Sequence, residues 1–129
     1  MYLFWIHRNP MYICIMYSND LIRGTLRTII LKLLSEQESM YGYEMTQKVK
    51  EMSAEKIIIT EGSLYPLLHQ LEAEGQVTTE LVSIGKRVRK YYKLTQPGKK
   101  LAREKVDEFA EFMQTMMFLL DLQTTPKTA

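Results

Sequence analysis

Apolar side chains recur along this chain with two different periods, and the order of those periods outlines a fold. Ile22, Leu26, Ile29, Ile30, Leu33 and Leu34 share one helical face, which predicts a first helix over roughly 19–35 with caps among residues 18–20. Residues 36–40 interrupt the pattern. Ser39 can then cap a second helix with Met45, Val49 and Met52 on one side. The β-branched run Ile57-Ile58-Ile59 predicts a brief strand. Thr60 caps a third helix, in which Leu64, Leu67, Leu68 and Leu71 follow the i, i+3, i+4, i+7 spacing. Pro66 falls near its first turn and Gly75 ends it.

A period of two then takes over. Residues 77–83 and 88–94 alternate in character around Ile84-Gly85-Lys86-Arg87, which predicts a β-hairpin with a basic tip. In that alternation Tyr91 and Tyr92 point to opposite faces, one to the core and the other to a groove or solvent. Thr95 caps a last long helix that tolerates Pro97 in its first turn. Along it Ala102, Val106, Phe109, Met113, Met116 and Leu120 alternate steps of four and three, a heptad seam. Residues 123–129 are expected to be a frayed tail.

The first seventeen residues are apolar and aromatic but broken by His7, Arg8, Asn9 and Pro10. The run is too short and interrupted for a membrane span and lacks the layout of a signal peptide. Residues 1–15 are expected to be an extension or an overlong gene start, since a well-patterned helix follows Met16. The expected division is an extension over 1–17, one unit over 18–95, a terminal helix over 96–122, and the tail.

Composition narrows the function. A chain of 129 residues with 46% hydrophobic residues suits one small packed domain. Cys14 is the only cysteine, so no internal disulfide forms and a cytoplasmic location is expected. With only His7 and His69, one chain holds no His/Cys cluster for zinc. No nucleophile–base set, phosphate loop or metal motif is present, so no catalytic residue, metal or cofactor is expected. Glu104, Asp107, Glu108 and Glu111 lie beside Lys100, Arg103 and Lys105, the makeup of a solvated helix face.

Charge is distributed unevenly. Residues 83–100 carry seven basic side chains and no acid, while the rest of the chain is net −5 against an overall +2. Such a stretch suits phosphate, and it equally suits a hairpin edge protected by lysines.

Three short helices followed by a hairpin is the order of a winged helix-turn-helix. There the third helix enters the DNA major groove, and the hairpin reaches the flanking backbone or minor groove. The expected class is mainly α with a small β-hairpin wing (α+β), plus the long C-terminal helix. The leucines of the third helix leave Ser63, Tyr65, Pro66, His69 and Gln70 on its other faces. Glu61, Glu72 and Glu74 would repel phosphate if they faced it.

Particular motifs add a family resemblance. Leu21-Ile22-Arg23-Gly24-Thr25-Leu26 and Tyr41-Gly42-Tyr43-Glu44-Met45 resemble the first two helix starts of PadR-type transcriptional regulators. The densest match is Thr60-Glu61-Gly62-Ser63-Leu64-Tyr65-Pro66-Leu67-Leu68, continuing through Leu71-Glu72-Ala73-Glu74-Gly75. Arg89-Lys90-Tyr91-Tyr92-Lys93-Leu94-Thr95 and Gly98 resemble the wing and the start of the last helix. Val88 departs from the pattern, standing where a proline is common. The single terminal helix resembles the short branch of the family.

The resemblance implies a homodimeric repressor that binds double-stranded DNA; a two-fold dimer presents two recognition helices, so an inverted-repeat operator is expected, and no membrane association is expected. It also implies a small aromatic or cationic effector. Tyr41, Ser63, Tyr65, His69, Lys86, Arg87, Arg89 and Lys90 are the expected DNA contacts. Tyr41 and Tyr65 each have packing as the alternative role. Val106, Phe109, Met113, Met116 and Leu120 are the expected dimer interface. Phe109, Phe112, Met113, Met116, Met117 and Phe118 also form an adaptable stripe that could line an effector pocket. The competing class of function is a winged protein-interaction module that does not read DNA.

Overall fold

The computed structural model describes residues 17–122. The extension over 1–16, with His7 and Cys14, and the tail over 123–129 lie outside the described residues. Eight elements follow in order: α1 (Asn19–Arg23), α2 (Leu26–Glu36), β1 (Met40–Tyr41), α3 (Gly42–Met52), α4 (Glu61–Ala73), β2 (Val77–Ile84), β3 (Arg87–Leu94) and α5 (Gln96–Leu119). Together they form a winged helix-turn-helix with a long C-terminal helix, mainly helical and carrying one antiparallel sheet.

Three local expectations are corrected. The first helix is broken into α1 and α2 at Gly24-Thr25, where the Thr25 hydroxyl donates to the Ile22 carbonyl at 2.9 Å. A hydroxyl that bonds its own turn offers the backbone an alternative to continuing the helix. The second correction concerns Ile57-Ile58-Ile59, which forms no strand. The sheet has three strands in the order β1-β3-β2, with Met40 opposite Tyr92 and Tyr41 opposite Tyr91, and the isoleucines pair with none of them. The isoleucines instead connect α3 to α4, and Ile59 drops into the core. Third, Tyr41 rather than Ser39 occupies the cap position of α3, and its backbone N–H donates to the Glu44 carboxylate at 3.1 Å.

Elsewhere the local chemistry acts as expected. Thr60 accepts from the Ser63 N–H, and Thr95 from the Gly98 N–H at 3.1 Å. Pro66 sits one turn further into α4 than expected, on an exposed side. The hairpin turns through Gly85-Lys86, and Gly85 has φ +61°. Positive φ at the first of two central residues alone marks a type II′ turn, whose twist matches that of the strands.

One core joins these parts. Leu26, Ile30, Leu31, Leu33 and Leu34 of α2 meet Met45 and Val49 of α3 and Leu64, Leu68 and Leu71 of α4. Met40, Val77, Tyr92 and Leu94 close it from the sheet, and Ala102 closes it from α5. Where α5 crosses the start of β2, a Cβ at position 98 would stand 2.0 Å from the Gln76 carbonyl oxygen. Only glycine permits that crossing. Among the described residues, no helix is long and apolar enough to cross a membrane.

Candidate nucleic-acid interface

The polar face of α4 and the basic wing are tied to one frame. On α4, Ser63 and His69 are exposed and Tyr65 is half-buried. The Ser63 hydroxyl stays 3.0 Å from that of Thr60, so it takes part in the helix cap. The ring of Tyr65 lies on Gly42 at the start of α3, where a Cβ would come within 2.5 Å of the phenolic oxygen. Tyr65 therefore packs against the core while Ser63 and His69 on α4 face water.

The wing divides its charges between two faces, because side chains alternate along β3. Arg87, Arg89 and Tyr91 share one face; Val88, Lys90 and Tyr92 share the other. The second face turns inward, with Tyr92 buried, and burial pushes its phenol above the ordinary value of 10.0. Lys90 on that face reaches Glu72 of α4 at 3.5 Å, and the Thr79 hydroxyl donates to the same carboxylate at 2.9 Å. The Thr79 hydrogen bond, followed by the charge of Lys90, holds the Glu72 carboxyl below the ordinary 4.5 against its partial desolvation. Glu72 thus ties the wing to α4, and Lys90 spends part of its charge there.

The first face carries a different arrangement. Arg89 lies over the Tyr41 ring, 4.4 Å from the centroid, and Tyr41 meets Tyr91 edge-on at 5.4 Å. A guanidinium over a tyrosine face is attracted by the ring quadrupole and held in one orientation. Lys86 and Arg87 project from the tip and are exposed. The start of α3 is less suited to capture an anion, because Glu44 already accepts from its cap.

The expected contacts therefore fall into three groups. Tyr41 and Arg89 are brought together, and Tyr65 stands beside them through Gly42. Ser63, His69, Lys86 and Arg87 are presented to solvent. Lys90 is paired with an acid. Sequence reasoning missed Gly42 and Glu72 as parts of this surface and left open which of Tyr91 and Tyr92 faces it. The adjacent Tyr41-Gly42 pair carried a signal for the first. Nothing in the spacing of Glu72 distinguished it from a solvated acid.

On α5, Val106 and Phe109 are half-buried against the rest of the domain, while Met113 is 44% exposed and Phe112 54%. Leu120 stands just past the end of α5, at its C-cap, and is exposed. Among the described residues, no group of three or more His, Cys, Asp or Glu side chains could hold a metal ion.

Comparison with known proteins fits this geometry. Residues 30–104 match the Transcriptional regulator PadR-like family. The chain is 34% identical over 77 residues to transcriptional regulator Rv3488 of Mycobacterium tuberculosis, covering 60% of this chain and 68% of that one. It is similar to the structure of a transcriptional regulator from Clostridium thermocellum, with a TM-score of 0.71 and 32% identity, over 78% of this chain and 95% of that one. A PadR family transcriptional regulator from Eggerthella lenta gives a TM-score of 0.70 and 31% identity, over 81% and 88%. With its winged fold, its basic hairpin and this family match, the chain belongs to the PadR-like family of transcriptional regulators, a family of regulators rather than enzymes.

Proposed function

We propose that the protein is a dimeric, effector-responsive repressor that reads an inverted-repeat operator in double-stranded DNA in the cytoplasm. Residues 18–95 form the DNA-binding unit, and residues 96–122 form the dimerisation helix. Arg89 held over Tyr41 is the observation that carries the reading. It fixes a guanidinium two residues along β3 from a hairpin tip that adds Lys86 and Arg87. Phosphate contacts of this kind supply affinity and set register, while Ser63 and His69 on the exposed face of α4 take the base-reading role. Tyr41 and Tyr65 donate to phosphate from the edge of the same surface. Lys90 contributes its remaining field. Two-fold pairing of α5 through Val106, Phe109, Met113, Met116 and Leu120 presents two copies of α4, so half-sites fall about one helical turn, or a small multiple, apart. The methionine and phenylalanine side chains on α5 suit a small aromatic or cationic effector, because they repack around varied shapes.

Titration with random duplex DNA at two salt concentrations tests the first step. Binding that weakens steeply with salt is expected from phosphate contacts. Absence of binding at low salt would favour a winged module that recognises protein instead. Sequencing of genomic fragments retained by the protein should then return an inverted repeat.

A further inference from the structure

The two faces of the wing differ in what covers them. On the outer face Arg89 stacks on Tyr41, Tyr91 meets the same ring, and Val82, opposite Arg89, is half-buried. The inner face turns toward α4, and its half nearer the core is covered: Tyr92 is buried, and Thr79 and Lys90 both reach Glu72. Farther out on that face Leu81 and Val88 stand with 68% and 63% of their surface exposed. Leu81 is opposite Lys90 and Val88 is opposite Ser83, so the two are diagonal neighbours across the strands, roughly 7–8 Å apart.

The surroundings of this apolar pair are basic. Arg87 and Lys90 border it on β3, Lys86 stands at the tip, and residues 83–100 include no acid. Such a rim disfavours a basic partner and attracts a polyanion. The inner face also runs on into α4, because Glu72, which holds Lys90, lies one turn from His69. A duplex whose major groove takes α4 brings its adjacent minor groove to the wing. In that groove every base pair shows acceptors, and a G·C pair adds the exocyclic amino donor of guanine. Leucine and valine would shield this donor from water and offer it no acceptor, which is costly.

We propose that Leu81 and Val88 are the groove-reading side chains of the wing, entering the minor groove beside α4 and selecting flanking pairs that lack this amino group. The proposal rests on DNA binding by the winged unit. It gives the two residues a part in sequence choice, separate from the phosphate affinity that Lys86 and Arg87 supply.

Alternating dG·dC and dI·dC duplexes present the same major-groove edges and differ in the minor groove by that amino group. Wild-type protein should bind the dI·dC duplex several-fold more tightly at low salt. Leu81→Thr/Val88→Thr keeps β propensity at two exposed positions and offers the amino group an acceptor. It should bind the two duplexes equally, with an unchanged slope of log affinity against log salt. Arg87→Ala/Arg89→Ala should weaken binding to both and keep the ratio. Equal binding by the wild type overturns the proposal. A ratio that survives in the threonine variant also overturns it, because groove shape alone would then account for the preference. Sedimentation of that variant as a monomer would assign the patch to a second copy of the chain and overturn it too. Failure of the wild type to bind either duplex at low salt would overturn the DNA-binding reading, and the proposal with it.

Discussion

The guanidinium of Arg89 lies 4.4 Å from the centre of the Tyr41 ring, which joins the wing to the start of α3 through a contact that fixes direction. Tyr41→Ala should release the arginine and weaken binding to all duplexes by about 1 kcal/mol, roughly fivefold. Tyr41→Phe keeps the ring under Arg89 and should lose only the share of affinity that the phenolic donor supplies. Replacing Arg87 and Arg89 together with alanine should flatten the slope of log affinity against log salt by about one unit per lost phosphate contact. Unchanged salt dependence would show that the wing does not touch phosphate.

Tyr65 and Gly42 form a second joint, between α4 and α3. Gly42→Ala would press a methyl group into the phenol and should lower stability by about 1–3 kcal/mol, read as a drop in the urea midpoint. Tyr65→Phe relieves the nearest contact and should leave folding intact while reducing DNA affinity through loss of the phenolic donor. Normal binding by Tyr65→Phe, together with unfolding of Tyr65→Ala, would assign the side chain to the core alone.

The tie between Glu72 and the wing should depend on pH. Its carboxyl lies below the ordinary 4.5 when folded, so the stability it adds is fully present above that value. It is lost as pH falls through the folded value. Glu72→Gln removes this contribution. Urea midpoints of wild type and variant should therefore differ at pH 7 and converge as the pH is taken well below 4.5. A constant difference down to the acid limit would mean that the Thr79 and Lys90 contacts add nothing.

How far the sequence alone revealed these features depended on how local their causes are. Thr60 and Thr95 cap helices within their own four residues, and Gly85 sets a turn from its own φ, so all three were legible. The hydrophobic faces of α2 and α4 followed from spacing for the same reason. Ile57-Ile58-Ile59 misled because β propensity reflects fit to a half-buried pleated surface, and this stretch lies in the connection before α4, paired with none of the three strands. The Met40–Tyr41 strand is too short to show a period, and only its partner on β3 defines it. Glu72 and Lys90 meet through tertiary packing across eighteen positions of sequence, which no local pattern encodes.

The proposed assembly by α5 rests on the side chains it leaves in water. Met113 and Phe112 are 44% and 54% exposed, and Phe118 is 78% exposed. Burying each such side chain is worth roughly 1.5–3 kcal/mol, so pairing two helices outweighs ordinary association costs. Wild-type protein should sediment as a dimer at micromolar concentration. Met113→Glu/Met116→Glu should sediment as a folded monomer with sharply reduced operator affinity. A monomeric wild type would remove the basis for a two-fold operator.

The pairing of β1 with β3 closes a long stretch of chain on itself. Met40 and Tyr41 gain their hydrogen-bonded neighbours only after Tyr91 and Tyr92 have been made, because β3 is the middle strand of the sheet. Contacts between positions so distant in sequence close late and slow the final step of folding. A nascent chain that has emerged only through α4 would carry helices without the strand that aligns them or the wing that follows. Such an intermediate lacks Arg89, and with it the charge over Tyr41. The short strand thus makes the start of α3 depend on residues near the far end of the winged unit.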